Sequence, residues 1–241
     1  MVGQPGRRAT DPSLDNPVWH ALGSGDADLA EARPGARRYR PDVSVFYGVD
    51  RLDAASWAGL AELAGSERFV VLVRDDVDRV PPGWTREETL FARQMLLEDL
   101  PDRSSLYPDD VGAPIRPLDA GDADRMLQLV GATRPGPFRA RTHELGPYVG
   151  VFHDDRLIAM AGERMHPPGF TEISAVCTHP DVRRRGLGAA LTRHVAAAIL
   201  ERGETPFLHV AEGNDGARRI YEQLGFVTRK VVTVEILRSP P

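Results

Sequence analysis

The sequence is poor in cysteine and has no long hydrophobic run. Its 241 residues include a single cysteine, Cys177, so the chain offers neither an internal disulfide nor a cluster of thiolates for a metal. No segment approaches the roughly 18 consecutive apolar residues of a membrane span, and the first residues lack the apolar stretch of a signal peptide. These absences predict a cytoplasmic protein without a metal, stabilised by a packed core.

Charge is slightly acidic overall and unevenly distributed. The chain has 30 basic and 35 acidic residues, a net charge of −5, which argues against nucleic acid or an anionic membrane as partner. Residues 1–110 carry 13 arginines against 20 acidic residues, a net charge of −7, whereas residues 111–241 carry +2. We predict a flexible terminus over residues 1–15, an α/β region over 16–110 and a second domain over 111–241.

The region before residue 110 has mixed patterns and no catalytic motif. Apolar runs occur at 43–49 and 89–97, helical spacing at 54–63 and a β-like run at 69–73. The Pro- and Asp-bearing stretch at 100–110 is typical of a linker. These patterns indicate a mixed α/β region whose function the sequence leaves open.

The second domain is divided more clearly by turn residues. Strands are predicted at 115–118, 148–153, 157–164, 170–178 and 207–210, with helices after Asp119, Gly188 and Asn214. The dipeptide Asp154-Asp155 is typical of a tight hairpin. In the strand at 170–178, alternation is expected to place Ile173, Ala175 and Cys177 on one face and Glu172 on the other.

A glycine-bearing loop leads from this strand into an alanine-rich helix. The loop and first helical turn comprise Arg183, Arg184, Arg185, Gly186, Leu187, Gly188 and Ala189. A helix N-terminus presents unpaired backbone N–H groups and the positive end of the helix dipole, which together bind phosphate. A dinucleotide-binding fingerprint is excluded because Leu191 occupies the third glycine position, and no Gly-Lys-Ser/Thr motif is present.

Two motifs in this domain resemble those of the GNAT superfamily of N-acetyltransferases. The first is Val176-Cys177-Thr178 followed by R-x-x-G-x-G from Arg183 to Gly188. The second is N-x-x-A-x-x-x-Y-x-x-x-G-F over residues 214–226. The resemblance covers roughly residues 113–238 and implies an α/β (α+β) fold with a mixed, splayed sheet flanked by helices.

The resemblance also implies acetyl-CoA as co-substrate and assigns roles around it. Backbone groups of Val176, Cys177 and Thr178 would pair with the pantetheine arm, and the amides from Arg184 to Ala189, flanked by arginines, would hold the pyrophosphate. Asn214 would contact the arm and also cap its helix.

Two further roles concern proton transfer. Tyr221 would protonate the departing thiolate as the acid. Glu172 is the favoured base, with Glu163 or water alone as alternatives.

These roles predict direct transfer of an acetyl group from acetyl-CoA to a primary amine of a small molecule or peptide. A catalytically inactive CoA-binding sensor or scaffold is the alternative. Residues 16–110 could be a degenerate GNAT-like half that caps the acceptor cleft, where the net charge of −7 would favour a cationic amine. They could instead shield a sheet edge or form a homodimer interface.

Overall fold

The structure, a computed structural model, describes residues 10–101 and 114–241. The predicted boundary at residue 110, most of the predicted linker and the first nine residues of the predicted flexible terminus lie outside the described residues. The helices are α1 (Pro17–Ala21), α2 (Ala54–Ala64), α3 (Ala123–Thr133), α4 (Leu187–Glu201) and α5 (Asp215–Gln223). None of the helices within the described ranges is long and apolar enough to cross a membrane.

Within the two described ranges, eleven strands form one mixed sheet. They are β1 (Ala30–Arg33), β2 (Ala36–Tyr39), β3 (Phe46–Val49), β4 (Phe69–Val73), β5 (Thr85–Leu96), β6 (Ile115–Leu118), β7 (Tyr148–His153), β8 (Arg156–Glu163), β9 (Phe170–Thr178), β10 (Thr205–Ala211) and β11 (Val227–Arg238). Their order across the sheet is β1-β2-β3-β4-β11-β5-β10-β9-β8-β7-β6. The predicted α/β fold with a splayed, mixed sheet is confirmed.

The strand order has an internal symmetry centred on the antiparallel pair β5 and β11. On one side, β11 is followed by β4 and β3; on the other, β5 is followed by β10 and β9. β3 is parallel to β4 and β9 is parallel to β10, and each pair is connected through a helix. We call β3-α2-β4 the first unit and β9-α4-β10 the second unit. Each unit is therefore completed by a long strand from the other half of the chain.

A bulge in β9 overturns the predicted alternation. Gly162 pairs with Ser174 but Met160 pairs with Cys177, so β9 has one extra residue over this interval. Ala175 absorbs it with a left-handed φ of 52°. As a result Ile173 packs on the α4 side of the sheet, whereas Cys177 packs on the opposite side against α3. The two residues do not share a face, because a bulge reverses the alternation beyond it.

Residues 10–15 are folded, contrary to the expected flexible terminus. Pro12–Leu14 form a short 3-10 helix capped by the Asp11 carboxylate. The Leu14 side chain is fully buried in the core that includes α1 and β5. Asp15 forms an ion pair with Arg229 at 2.8 Å. A single buried leucine and the ion pairs of Asp15 with Arg229 and Lys230 leave no periodic pattern, so the sequence does not predict this structure.

Candidate active site

A cleft opens where the two parallel strands of the second unit diverge. β9 and β10 pair only from Phe170 to Glu172 and from Thr205 to Phe207. Beyond this point no ladder joins them, and a cavity of about 930 Å³ lies between them. The cleft is bordered by the free edge of β9, the N-terminus of α4 and the start of α5. Its lining includes Leu187 of α4 and Thr133 at the end of α3, so it passes between the strands from one face of the sheet to the other.

The free edge of β9 carries the three residues that the sequence predicted to bind an extended ligand. Val176, Cys177 and Thr178 all line the cleft. Cys177 and Thr178 pair with Met160 and Ala159 of β8 on their other side, so their open edge faces β10. An unpaired strand edge can accept a further extended chain through backbone hydrogen bonds.

The thiol of Cys177 is part of the core rather than a nucleophile. It packs with Met126 and Leu129 of α3. Burial raises the pKa of the Cys177 thiol to about 11, partly offset by a hydrogen bond with Thr133. A thiol with that pKa is protonated at neutral pH and is a poor nucleophile.

The N-terminus of α4 faces the cleft without a side-chain cap. Gly186 occupies the cap position with a φ of 81°, a left-handed conformation that favours glycine. Within the described parts of the chain, no group accepts a hydrogen bond from the backbone N–H groups of residues 184–189. A Cβ on Gly188 would lie 3.8 Å from both Val176 and Thr178, on the cleft side. The arrangement forms an open amide cradle with its positive end toward the cleft.

Of the three arginines before this helix, two line the cleft and one does not. Arg183 and Arg184 line the cleft, and the Arg183 Nε donates to the carbonyl of Thr178 at 3.3 Å. Arg185 is exposed and is not part of the cleft lining. Two of the predicted arginines are therefore placed to meet an anion in the cradle.

The helix α5 contributes Asn214 and Tyr221 to the cleft. The Asn214 Oδ1 accepts from the backbone N–H of Ala217 at 3.2 Å, so the predicted N-cap is present. The Tyr221 ring packs edge-on against Phe226 with centroids 5.9 Å apart. Burial raises the pKa of Tyr221 to about 12, which keeps the phenol protonated and able to donate a proton.

Glu172 is fully buried and engaged in a network beneath the cleft. Its two carboxylate oxygens accept from the Nε and Nη2 of Arg164, each at 2.6 Å. One of them also accepts from His209 Nδ1 at 2.7 Å. Burial alone would raise the pKa of Glu172, but Arg164 and His209 outweigh it and lower the pKa to about 2. The geometry therefore argues against the predicted role of Glu172 as the base that accepts the amine proton.

His209 lines the cleft and was not expected from the sequence. Its Nε2 lies 3.1 Å from the amide nitrogen of Gln94, whose oxygen accepts from Arg229 at 2.9 Å. Because that amide nitrogen can only donate, His209 Nε2 accepts and its proton lies on Nδ1, toward Glu172. Gln94 belongs to β5, so the first half of the chain completes the floor of this cleft. No local motif signals such a contact between distant strands.

The alternative base Glu163 lies outside the cleft lining. Both of its oxygens accept from Arg202 at 2.9 Å, and one lies 3.3 Å from His166 Nε2. The other ring nitrogen of His166 lies 2.6 Å from Asp26. Burial lowers the pKa of His166, but the two carboxylates outweigh it and raise the pKa to about 9. Glu163 thus belongs to a cluster with His166 and Asp26. This cluster links the segment after α1, which contains Asp26, to the second half of the chain.

Comparisons with known proteins agree with this geometry. The FR47-like protein family model matches residues 148–234. The chain is 33% identical over 177 residues to mycothiol acetyltransferase from Thermomonospora curvata, in a match that covers 66% of this chain and 58% of that protein. It thus spans a little over half the length of that relative.

Solved structures match over nearly the whole chain. A protein from Novosphingobium aromaticivorans, assigned to the GNAT family of acetyltransferases, is 37% identical with a TM-score of 0.84, over 96% of this chain and 100% of that one. A GCN5-related N-acetyltransferase from Kribbella flavida shares the fold at 19% identity, with a TM-score of 0.61 over 100% of this chain and 97% of that one. The chain belongs to the GNAT family, which confirms the resemblance.

Proposed function

We propose that the protein is an acetyl-CoA-dependent N-acetyltransferase that moves an acetyl group directly to a primary amine. The observation that carries this proposal is the meeting of three features in one cleft. They are the unpaired edge of β9, the uncapped N-terminus of α4 and the protonated phenol of Tyr221. Each suits one part of an acyl-CoA: the pantetheine amides, the diphosphate and the leaving sulfur.

The chain's own groups suffice to hold the coenzyme. The backbone of Val176, Cys177 and Thr178 would pair with the pantetheine arm, and the amides of residues 184–189 would bind the diphosphate. Arg183 and Arg184 would add charge at the rim of the cradle. Asn214 would remain the cap of α5 while its side chain borders the arm.

In the reaction, the amine nitrogen attacks the thioester carbonyl, the carbon–sulfur bond breaks, and Tyr221 protonates the departing sulfur. The proton of the amine must also leave. Glu172 and Glu163 are both held in buried ion pairs, so we propose that this proton passes to water, the third of the expected routes. Glu172 then acts by orienting His209 and Arg164 at the floor of the cleft.

We further propose that residues 16–110 are a degenerate GNAT-like half whose strands are part of the same sheet as those of the second half. The matching strand order of the two units supports this proposal. β5 lies between β10 and β11, and its Gln94 contacts His209. Deleting residues 1–110 would remove a central strand, so point variants are better tests of the roles of this half.

Replacing Tyr221 tests the proposed function. We expect Tyr221→Phe to lower the rate of thiol release from acetyl-CoA, measured with a panel of amines, by about 10²-fold or more, with unchanged acetyl-CoA binding. Tyr148→Phe is the matched control, because Tyr148 is buried outside the cleft and its hydroxyl has no partner in the described ranges.

Two results would contradict the proposal. Near-normal turnover by Tyr221→Phe would remove Tyr221 as the acid. Binding of acetyl-CoA by the unaltered protein without thiol release from any amine would indicate the inactive CoA-binding alternative.

A further inference from the structure

One loop borders both the cleft and a second groove, which lies between the two halves of the chain. Residues 133–135 line the cleft, and residues 136–139 of the same loop line a groove of about 920 Å³. The opposite wall of the groove is formed by β2, β3 and β4, including Tyr39 and Phe69. The Phe138 ring of the loop packs edge-on against Tyr148 at 5.8 Å, which anchors the loop to β7. An acceptor larger than the amine itself could therefore extend from the cleft into this groove.

Both cavities have basic walls. Within the described parts of the chain, no aspartate or glutamate lines either one. The basic lining residues outside the α4 cradle are Arg134 and Arg164 in the cleft and Arg38, Arg68 and Arg139 in the groove. The described acidic residues of the first half therefore do not line the acceptor path, which weakens the argument for a cationic acceptor.

Two of these arginines are already neutralised by partners. Arg164 pairs with Glu172, and Arg38 donates to Glu31 at 2.7 Å. By contrast, the side chains of Arg134, Arg139 and Arg68 make no hydrogen bond or ion pair with any residue that the structure describes. The carboxylates of Asp42 and Glu144 are both paired with Arg141. The loop thus carries two uncompensated positive charges along the acceptor path.

Arg134 is also held in an unusual backbone conformation. It ends α3 with φ 48° and ψ 57°, and its N–H donates to the carbonyl of Val130 at 2.7 Å. Glycine or asparagine is the usual residue for this left-handed cap, and another side chain is strained there. Arg134 is exposed at the edge of the cleft, so its guanidinium is accessible to a ligand group there.

We infer that the acceptor is an amine that also carries an anionic group, a carboxylate or a phosphate, and that Arg134 and Arg139 bind that group. This inference rests on the proposed function and specifies its substrate class. A guanidinium forms charge-assisted hydrogen bonds with either anion, so it would hold the acceptor while its amine lies near the thioester.

Matched acceptors test the inference. Thiol release from acetyl-CoA would be compared between amines that differ in one anionic group, such as an amino acid against its amide and phosphoethanolamine against ethanolamine, with putrescine as a cationic amine. We expect the anionic member of at least one pair to be preferred. Arg134→Gln should raise the KM for this anionic acceptor about 10-fold or more and leave the KM for acetyl-CoA unchanged. Arg51→Gln, at an exposed arginine of the first half, is the control and should change neither.

The outcomes separate the inference from the proposed function. Turnover restricted to neutral or cationic amines would overturn the anionic acceptor while the acetyltransferase stands. The same holds if Arg134→Gln and the double variant with Arg139→Gln leave the anionic KM unchanged. A rise in the acetyl-CoA KM instead would assign Arg134 to the phosphates of the coenzyme. No binding of acetyl-CoA and no thiol release with any amine would overturn both proposals.

Discussion

The first and second units share a strand order but differ at the N-terminus of their helices. In the first unit, Asp53 caps α2: its Oδ1 accepts from the backbone N–H of Ser56 at 2.9 Å. In the second unit, Gly186 stands at the cap of α4, and no side chain in residues 10–101 or 114–241 accepts from its first amides. One helix therefore presents a carboxylate at its positive end, and the other presents free N–H groups. An incoming phosphate is repelled by the first and attracted by the second.

The two units also differ at the strand edge beyond their parallel pairing, which is occupied in the first unit and open in the second. In the first unit, Arg74 Nη1 donates at 2.8 Å to the carbonyl of Val49, at the end of β3, and Asn16 donates to it at 2.7 Å. The chain's own side chains thus occupy the backbone group that an extended ligand would need. In the second unit the edge of β9 beyond Glu172 stays free of β10. We therefore expect side chains at the strand ends and the helix cap, and not the strand order, to decide which unit binds a ligand.

The largest effect is expected from the buried network of the second unit. Glu172→Gln removes the charge that compensates Arg164 in a buried site, so the free energy of unfolding should fall by about 3–5 kcal/mol. Urea unfolding at neutral pH measures this change. A second substitution, Arg164→Met, should recover part of the loss because no unpaired charge then remains. A loss below about 1 kcal/mol for Glu172→Gln would contradict the ion-pair account.

Giving α4 an acidic cap like that of α2 should weaken the binding of acetyl-CoA. Gly186→Asp places a carboxylate at the N-terminus of α4, so the Kd for acetyl-CoA should rise about 100-fold, roughly 3 kcal/mol. Gly186→Asn is the matched control, since asparagine tolerates the same φ without the charge. If both variants bind equally well, charge at the cap does not distinguish the units.

The cluster that links the halves should give the protein an alkaline limit of stability. The folded-state pKa of His166 is about 9, above its ordinary value of 6.5, so its stabilisation is complete below about pH 6.5 and is lost as pH rises through 9. The loss should be on the order of 3 kcal/mol at most. Urea unfolding at about pH 6 and pH 10 measures it. His166→Gln should lack this part of the pH dependence, and an unchanged dependence would argue against the cluster.

The smallest effect is expected in the first unit. Asp53→Ala removes the cap of α2 and should lower the free energy of unfolding by about 1 kcal/mol, with acetyl-CoA binding unchanged. Asp53→Ser keeps a capping oxygen and should retain most of the stability. Thermal melting with and without acetyl-CoA measures both quantities. Weaker acetyl-CoA binding by Asp53→Ala would show that the first unit takes part in binding.

Much of the second half could be predicted from the sequence because its signals are local. The hairpin at Asp154-Asp155, the glycine at the start of α4 and the cap at Asn214 each depend on residues near one another in the chain. The same holds for β4 and α2. The β-like run at 69–73 and the helical spacing at 54–63 predict bounds within one residue of those observed. The roles of the site residues in catalysis stay predictions.

The rest depends on contacts between distant residues. No periodicity places β5 between β10 and β11, and none joins Gln94 to His209, 115 positions away. The bulge at Ala175 reversed the face of Cys177 because one inserted residue changes every later position in a strand. The engagement of Glu172 by Arg164 was likewise hidden, since either carboxylate orientation satisfies the strand pattern.

The stoichiometry of acetyl-CoA binding tests most directly whether only one of the two units forms a site. Isothermal titration of the full chain is predicted to give one acetyl-CoA per chain, with the heat lost in Gly186→Asp. Two equivalents would show that Arg74 and Asp53 do not close the first unit, and the absence of binding would show that the cradle at α4 is not a coenzyme site.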